Sequence, residues 1–104
     1  MNDFTASVIQ IIQAIPHGKV AGYGQIATMA GNARAARVVS RILHTCTGKH
    51  ALPWWRVIRN SGEIALQGEG GALQKEMLLA EGIVFIGNAK LDMEQYAWKG
   101  DSAY

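Results

Sequence analysis

A stripe of apolar residues near the start of the chain, closed by a proline and a glycine, does most to limit what this sequence can fold into. Val8, Ile11, Ile12 and Ile15 stand at i, i+3, i+4 and i+7, one face of an α-helix, and Pro16 and Gly18 stop it. The spacing predicts a helix from about Thr5 to Ala14, with Asp3 or Thr5 as its cap. Gly22-Tyr23-Gly24 then reads as a turn, Gln25 to Ala30 as a short helix and Arg34 to Leu43 as a longer one, with Gly31-Asn32 between them. Two helices joined by a tight turn containing glycine make a helix-turn-helix candidate.

Further along, Trp55 to Ile58 and Glu63 to Leu66 flank Arg59-Asn60-Ser61-Gly62, which reads as a β-hairpin. A helix-turn-helix followed by a hairpin predicts a mostly α, winged-helix-like DNA-binding domain with a small β-hairpin wing. Gly68 to Gly71 is expected as a loop, and it lacks the Lys-Ser/Thr ending of a phosphate-binding loop. Leu73 to Glu81 returns to helix with Gly82 as its cap. Val84-Phe85-Ile86 could form a short strand, and Asp92 could cap a last helical turn containing Tyr96 and Trp98. No repeat or low-complexity tract divides the 104 residues, so residues 1–104 are expected to form one domain.

The charges are segregated along the chain. Between Phe4 and Gly62 stand seven basic residues, Lys19, Arg34, Arg37, Arg41, Lys49, Arg56 and Arg59, and no acidic one. From Glu63 to Tyr104 there are three basic and seven acidic residues, so the net charge of +2 hides the division. A basic first part points to a polyanionic partner, and nucleic acid leads because Lys and Arg on phosphates supply most non-specific affinity. On the third expected helix, Arg34, Arg37, Arg41 and His44 fall within about one quadrant, opposite Ala35, Val38, Val39 and Ile42. Solvation alone can explain a basic outer face. Three arginines with no acid to pair favour contact with nucleic acid.

Other classes find less support. The single cysteine, Cys46, excludes an internal disulfide, suits a reducing cytosol and reads as a small buried side chain rather than a reactive thiol. His17, His44 and His50 have no metal-ligand spacing, so neither a metal nor a cofactor is expected. No apolar run approaches the ~18 residues of a membrane helix, and the first ten residues lack the basic start of a signal peptide.

Six segments, taken in order, carry a resemblance to a known family. They are Ile15 to Lys19, Gly22 to Ala27, Ala30 to Val38, Leu52 to Ile58, Ser61-Gly62, and Lys75 to Gly82. Together they resemble the C-terminal domain of the O6-alkylguanine-DNA alkyltransferases over roughly residues 4–83. The central pattern of those enzymes is Pro-Cys-His-Arg-Val, whose cysteine accepts the alkyl group. Here the segment reads Pro53-Trp54-Trp55-Arg56-Val57. A thiolate attacks an alkyl carbon readily when a base assists it, whereas an indole does not. Trp55 also stands where the helper histidine would be. Cys46 lies eight residues from the acceptor position and does not replace it; the resemblance places a side chain near it in the hinge that supports the site. No alkyl transfer by the usual mechanism is expected.

Loss of the nucleophile within a kept DNA-binding frame is similar to the alkyltransferase-like proteins, non-enzymatic relatives that bind O6-alkylguanine without repairing it. The chain departs from many of them in having Trp55 after Trp54, where histidine is common. It departs again at Gln67-Gly68-Glu69, where the enzymes have a tyrosine and a serine, with an apparent one-residue insertion.

The resemblance implies a set of roles. Arg37 would enter the base stack and fill the space of a flipped guanine, a task suited to a planar cation. Tyr23 would press on the neighbouring phosphate, and small Ala35 and Ala36 would let the helix approach the minor groove. Arg34, Arg41 and Arg59 would contact phosphates. Trp54, Trp55, Tyr23 and Gln67 would line the lesion pocket, although Trp55 fits a purely structural place equally well. Arg56 and Glu81 would brace the site. The implied partners are double-stranded DNA carrying O6-alkylguanine and the proteins of nucleotide excision repair. The protein is expected to act as a monomer in a bacterial cytoplasm, on the nucleoid when bound. Two alternatives stay open at this stage: a sequence-specific winged-helix regulator, and an alkyltransferase with an unrecognised nucleophile.

Overall fold

The computed structural model describes residues 3–100. Helix α1 spans Asp3–Ala14 and buries Val8, Ile9 and Ile12, with Ile15 buried just past its end. The chain then forms a two-residue strand, β1 (Ala21–Gly22), and enters helix α2 (Tyr23–Met29) without the turn expected at Tyr23. Gly31, at φ 101°, turns the chain after α2, and the Asn32 N–H bonds back to the Ala27 carbonyl at 2.9 Å. Helix α3 (Ala36–His50) follows and packs across α2, completing the helix-turn-helix.

The limits of α3 differ from expectation at both ends. Arg34 precedes the helix and Ala35 sits at its N-cap. At the other end α3 continues seven residues past Leu43, through Thr45, Thr47 and Gly48, which favour other conformations. The two threonine hydroxyls donate to carbonyls one turn back, Thr45 to Arg41 at 3.0 Å and Thr47 to Leu43 at 2.6 Å. Leu43 is buried on the same stretch, so packing carries the helix on. It stops where Ala51 takes a left-handed conformation at φ 51°.

The expected hairpin wing does not form. Trp54–Arg56 is a single 3-10 turn, and strand β2 (Val57–Ile58) pairs in parallel with β1, Ala21 opposite Val57 and Gly22 opposite Ile58. The turn itself is present, since the Arg59 N–H bonds to the Glu63 carbonyl at 3.0 Å. Beyond it the chain leaves β2: Glu63 bridges to Lys90, and the Ile64 N–H bonds to the Ala89 carbonyl at 2.9 Å. The reason lies in burial. Val57 and Ile58 are both at 0% exposure, a strand covered on both faces, and such a strand pairs inside the fold rather than in a half-solvated ribbon.

Helix α4 (Gly68–Ala80) starts five residues earlier than expected, because the glycine-rich stretch forms its first turns instead of a loop. Gly71 is needed there: a side chain on it would collide with the Leu66 carbonyl oxygen. Val84 to Ile86 yields only an isolated bridge, Phe85 to Leu91. The last helix, α5 (Met93–Tyr96), is capped as expected by Asp92, which accepts from the Glu94 N–H at 3.0 Å. Trp98 lies past its end and is buried.

Two apolar clusters hold these elements. The larger joins α1, α2 and α3 with Leu52, Val57 and Trp98. The smaller gathers Val20, Ile58, Leu78, Ile83, Leu91 and Tyr96. The chain after α5 is stitched beside β1, with the Val20 N–H on the Tyr96 carbonyl at 2.9 Å and the Trp98 N–H on the Val20 carbonyl at 2.7 Å. No described helix is long and apolar enough to cross a membrane. The mostly helical class read from the sequence holds; the wing is the part that changes.

Candidate nucleic-acid interface

The lengthened α3 creates a surface that its shorter form would lack. Ser40, Leu43, His44 and Thr47 stand at i, i+3, i+4 and i+7 and line one side of a hollow of about 320 Å³. Tyr23 and Trp54 close other walls, with Leu66 and Gln74 beyond them. That volume is near the lower end of ligand pockets, roughly 300–1,000 Å³.

Both aromatic walls are held by backbone constraints. Tyr23 is the first residue of α2, and Gly22 before it has no room for a side chain because the Asn60 side chain lies against its backbone. Asn60 Oδ1 accepts from the Gln25 N–H at 3.2 Å. Gln25 in turn accepts from the Gly22 N–H at 3.2 Å and donates to the Trp98 carbonyl at 2.6 Å. Burial pushes the Tyr23 phenol above its ordinary value, and the Arg59 charge only partly opposes this, so the hydroxyl stays a proton donor. Trp54 is half-buried against the larger cluster, its backbone N–H donating to the Leu52 carbonyl at 2.8 Å.

A shallower hollow of about 350 Å³ shares Tyr23, Ser40 and Leu66 with the first and adds Ala36, Arg37 and Arg59. Two exposed guanidinium-bearing residues thus flank the entrance beside Tyr23. Arg34 and Arg41 are also exposed but line neither hollow. Ala35 is turned into the core at 7% exposure, leaving Ala36 as the small residue on the outer surface.

Trp55 goes the other way. Its ring stands edge-on to Trp54, with centroids 6.1 Å apart and planes at 89°, and packs against the smaller cluster. The Trp55 indole Nε1 donates to Glu81 Oε2 at 2.6 Å. Arg56 donates to the same carboxylate through Nε and through Nη2 at 2.8 Å, and its Nη1 reaches the Ile15 carbonyl at 2.9 Å. The Gly18 N–H completes the set on Glu81 Oε1 at 2.8 Å. Burial alone would raise the Glu81 carboxyl, but hydrogen bonds from Arg56, Gly18 and Trp55, with the Arg56 charge, outweigh it and hold the group below its ordinary value. One carboxylate therefore ties the end of α1, the 3-10 turn and the end of α4 together.

Tyr23, Trp54, Arg37, Arg59 and Ala36 are thus brought to one side, and Arg56 with Glu81 forms a brace behind it. Trp55 and Gln67 do not line the main hollow. Gln67 sits at the N-cap of α4, across Leu66, in a separate hollow of about 260 Å³ shared with Lys75 and Asn88. Cys46 is half-buried against the larger cluster and does not line the main hollow either. Sequence reasoning missed Ser40, Leu43, Thr47, Leu66, Gln74 and Asn60. The α3 stripe could have been found by continuing the periodicity of His44 past Leu43, whereas Asn60 and Gln74 carry no local signal. Among the described residues no group of three His, Cys, Asp or Glu could hold a metal ion.

With this geometry in view, the similarity to known proteins is informative. Residues 3–83 match the pattern of the DNA-binding domain of 6-O-methylguanine DNA methyltransferase. The chain belongs to that family. Within the family it is 40% identical over 97 residues to the DNA base-flipping protein of Escherichia coli, spanning 93% of this chain and 75% of that one. Alkyltransferase-like protein 1 of Schizosaccharomyces pombe is 33% identical, spanning 95% of this chain and 97% of that one. The crystal structure of the Schizosaccharomyces pombe protein with damaged DNA containing O6-carboxymethylguanine matches this fold with a TM-score of 0.84 at 32% identity, over 95% of this chain and 97% of that chain. The O6-methylguanine methyltransferase of Mycobacterium tuberculosis matches with a TM-score of 0.59 at 30% identity, over 78% of this chain and 49% of that larger one. The family read from the sequence motifs is borne out.

Proposed function

We propose that this protein binds double-stranded DNA carrying O6-alkylguanine from the minor groove, turns the damaged base into the hollow beside Trp54, and holds it without removing the alkyl group. One observation carries the reading: an indole lines the hollow at the position where the enzymes of the family keep their thiol. An aromatic wall can stack on or cover a base and its substituent, but the indole nitrogen's lone pair belongs to the ring's π system and does not displace an alkyl carbon. Trp55 is committed to Glu81 and supplies no base, and Cys46 is not at the wall.

The relatives support the same reading, since one is named for base flipping and another was crystallised on DNA with an alkylated guanine. Arg37 fills the gap left in the stack, and Tyr23 presses on the adjoining phosphate as the base leaves it. Arg34, Arg41 and Arg59 neutralise phosphates to either side. A lesion held unrepaired needs excision by other proteins. Nucleotide excision repair proteins are therefore the proposed downstream partners, with this protein acting as a monomer on the bacterial nucleoid. The test is equilibrium binding to matched duplexes differing only in one base, guanine or O6-methylguanine. Tighter binding to the alkylated duplex is expected, and equal affinity would reject the proposal.

A further inference from the structure

Tyr23 stands between two glycines, and neither is there for backbone freedom. Gly22 has φ −81° and ψ 152°, an extended conformation open to any residue, and Gly24 lies inside α2 without a positive φ. Both glycines make room for one side chain. A Cβ on Gly22 would overlap Asn60 Oδ1 and stand 2.9 Å from Asn60 Cα, and one on Gly24 would stand 2.8 Å from Asn60 Nδ2. The Asn60 amide thus lies across the backbone on both sides of Tyr23. Its Oδ1 accepts from the Gln25 N–H at 3.2 Å, one of the first-turn donors of α2 that no carbonyl of the helix can reach. An N-cap side chain ordinarily fills that place; Gly22 has none, so the cap comes from a distant part of the chain. Asn60 belongs to the turn that carries Arg59, closed by the Gly62 N–H on the Arg59 carbonyl at 2.9 Å. Arg59 lines the shallower hollow with Tyr23, and its charge reaches the Tyr23 phenol.

We propose that Asn60 is a positioning residue for base extrusion, holding Tyr23 at a fixed place relative to the turn that carries Arg59. That role rests on the reading of Tyr23 as the side chain that presses on the phosphate beside the flipped base. Turning a nucleotide out of the stack costs unstacking energy. A side chain pushing on the DNA backbone offsets that cost only if it does not itself give way. Tyr23 is the first residue of a seven-residue helix, so no helical turn precedes it to hold its backbone. Asn60 supplies the anchor from outside, by capping α2 and by filling the space on either side of Tyr23. It acts through Tyr23 and does not need to touch DNA. Asn60 is itself exposed, so its removal changes where Tyr23 stands far more than whether the chain folds.

Affinities for matched duplexes with O6-methylguanine or guanine would be measured for the wild type, Asn60→Ala, Tyr23→Ala and the double variant, together with melting temperatures. Asn60→Ala is expected to melt near the wild type and to lower the preference for O6-methylguanine by about three- to tenfold, the worth of one ordinary hydrogen bond. In the Tyr23→Ala background the same change is expected to weaken lesion binding no further, because the residue it positions is gone. Gly24→Ala offers a second route to the same end. Alanine favours a helix over glycine, yet its methyl group displaces the Asn60 amide, so the preference should fall as it does in Asn60→Ala. Should Asn60→Ala not fold, Gly24→Ala decides. An unchanged preference in either variant would overturn the inference. Further weakening in the Tyr23→Ala background would overturn it too, since that is the mark of an independent contact between Asn60 and DNA. Absence of any preference in the wild type would instead overturn the base-site reading itself.

Discussion

Trp54 and Trp55 are neighbours in the chain, yet they serve two regions that treat their polar groups in opposite ways. Behind the 3-10 turn, Trp55 and Arg56 converge on Glu81, and all three polar heads are hydrogen-bonded within the protein. On the other side, Trp54 faces a hollow whose wall carries the exposed side chains of Ser40 and His44. The difference separates an internally bonded brace from a solvent-open hollow, the one proposed to receive the damaged base. Saturated hydrogen bonding fixes geometry, while exposed polar groups at a concave surface are free to exchange water for a ligand.

The largest test of that division lies in the brace. Glu81→Ala leaves the Arg56 guanidinium, 16% exposed, without its carboxylate. Loss of one partner of such a pair costs about 3–5 kcal/mol, so chemical denaturation should show a drop of that size. A change below about 1 kcal/mol would mean that the brace does not carry the fold. The same carboxyl sets an acid limit. Its value is lower in the folded protein than in the unfolded chain, so its contribution is complete above the ordinary carboxylate range and lost as pH falls through the folded value. Stability should decline on acidification, and Glu81→Gln should be less stable at neutral pH and flatter across that range. Parallel curves for the two proteins would contradict the assignment.

The hollow side should respond in the opposite sense. Arg37→Ala is expected to weaken binding to an O6-methylguanine duplex by about 1–3 kcal/mol, with stability unchanged to within about 0.5 kcal/mol as for other exposed positions. A stability loss without a binding loss would blur the two regions into one. Arg34, outside α3 and exposed, gives the smallest effect. Arg34→Ala should lower affinity for alkylated and plain duplexes alike, and reduce the slope of log affinity against log salt by about one. A selective loss for the lesion would move Arg34 into the recognition site.

What could be read from the sequence follows the range of the forces involved. The α1 stripe, the turn at Gly31-Asn32 and the Asp92 cap are local patterns, and each appears in the structure. Trp54 was legible as a missing nucleophile because the motif around it is contiguous. The hairpin failed for the complementary reason: the partner of Val57 is Ala21, thirty-odd residues earlier, and no local alternation reports that pairing. The end of α3 was lost because Thr45, Thr47 and Gly48 are weak helix formers, while the two threonine hydroxyls bond back into the helix. Gly68 to Gly71 read as a loop by composition, while close approach to Leu66 is what requires a glycine at position 71. Gln74 gave no signal, since a lone glutamine is recognisable as a buried donor to the Trp55 and Val57 carbonyls only once its neighbours are in place.

The central claim is that the hollow beside Trp54 receives an alkylated guanine and leaves it unchanged. The most direct measurement isolates the complex with an O6-methylguanine duplex after prolonged incubation, then takes the intact mass of the protein and the base composition of the recovered DNA. An unaltered protein mass with the full complement of O6-methylguanine is the predicted result. A stoichiometric gain of one methyl group on the protein, with guanine restored in the DNA, would contradict it.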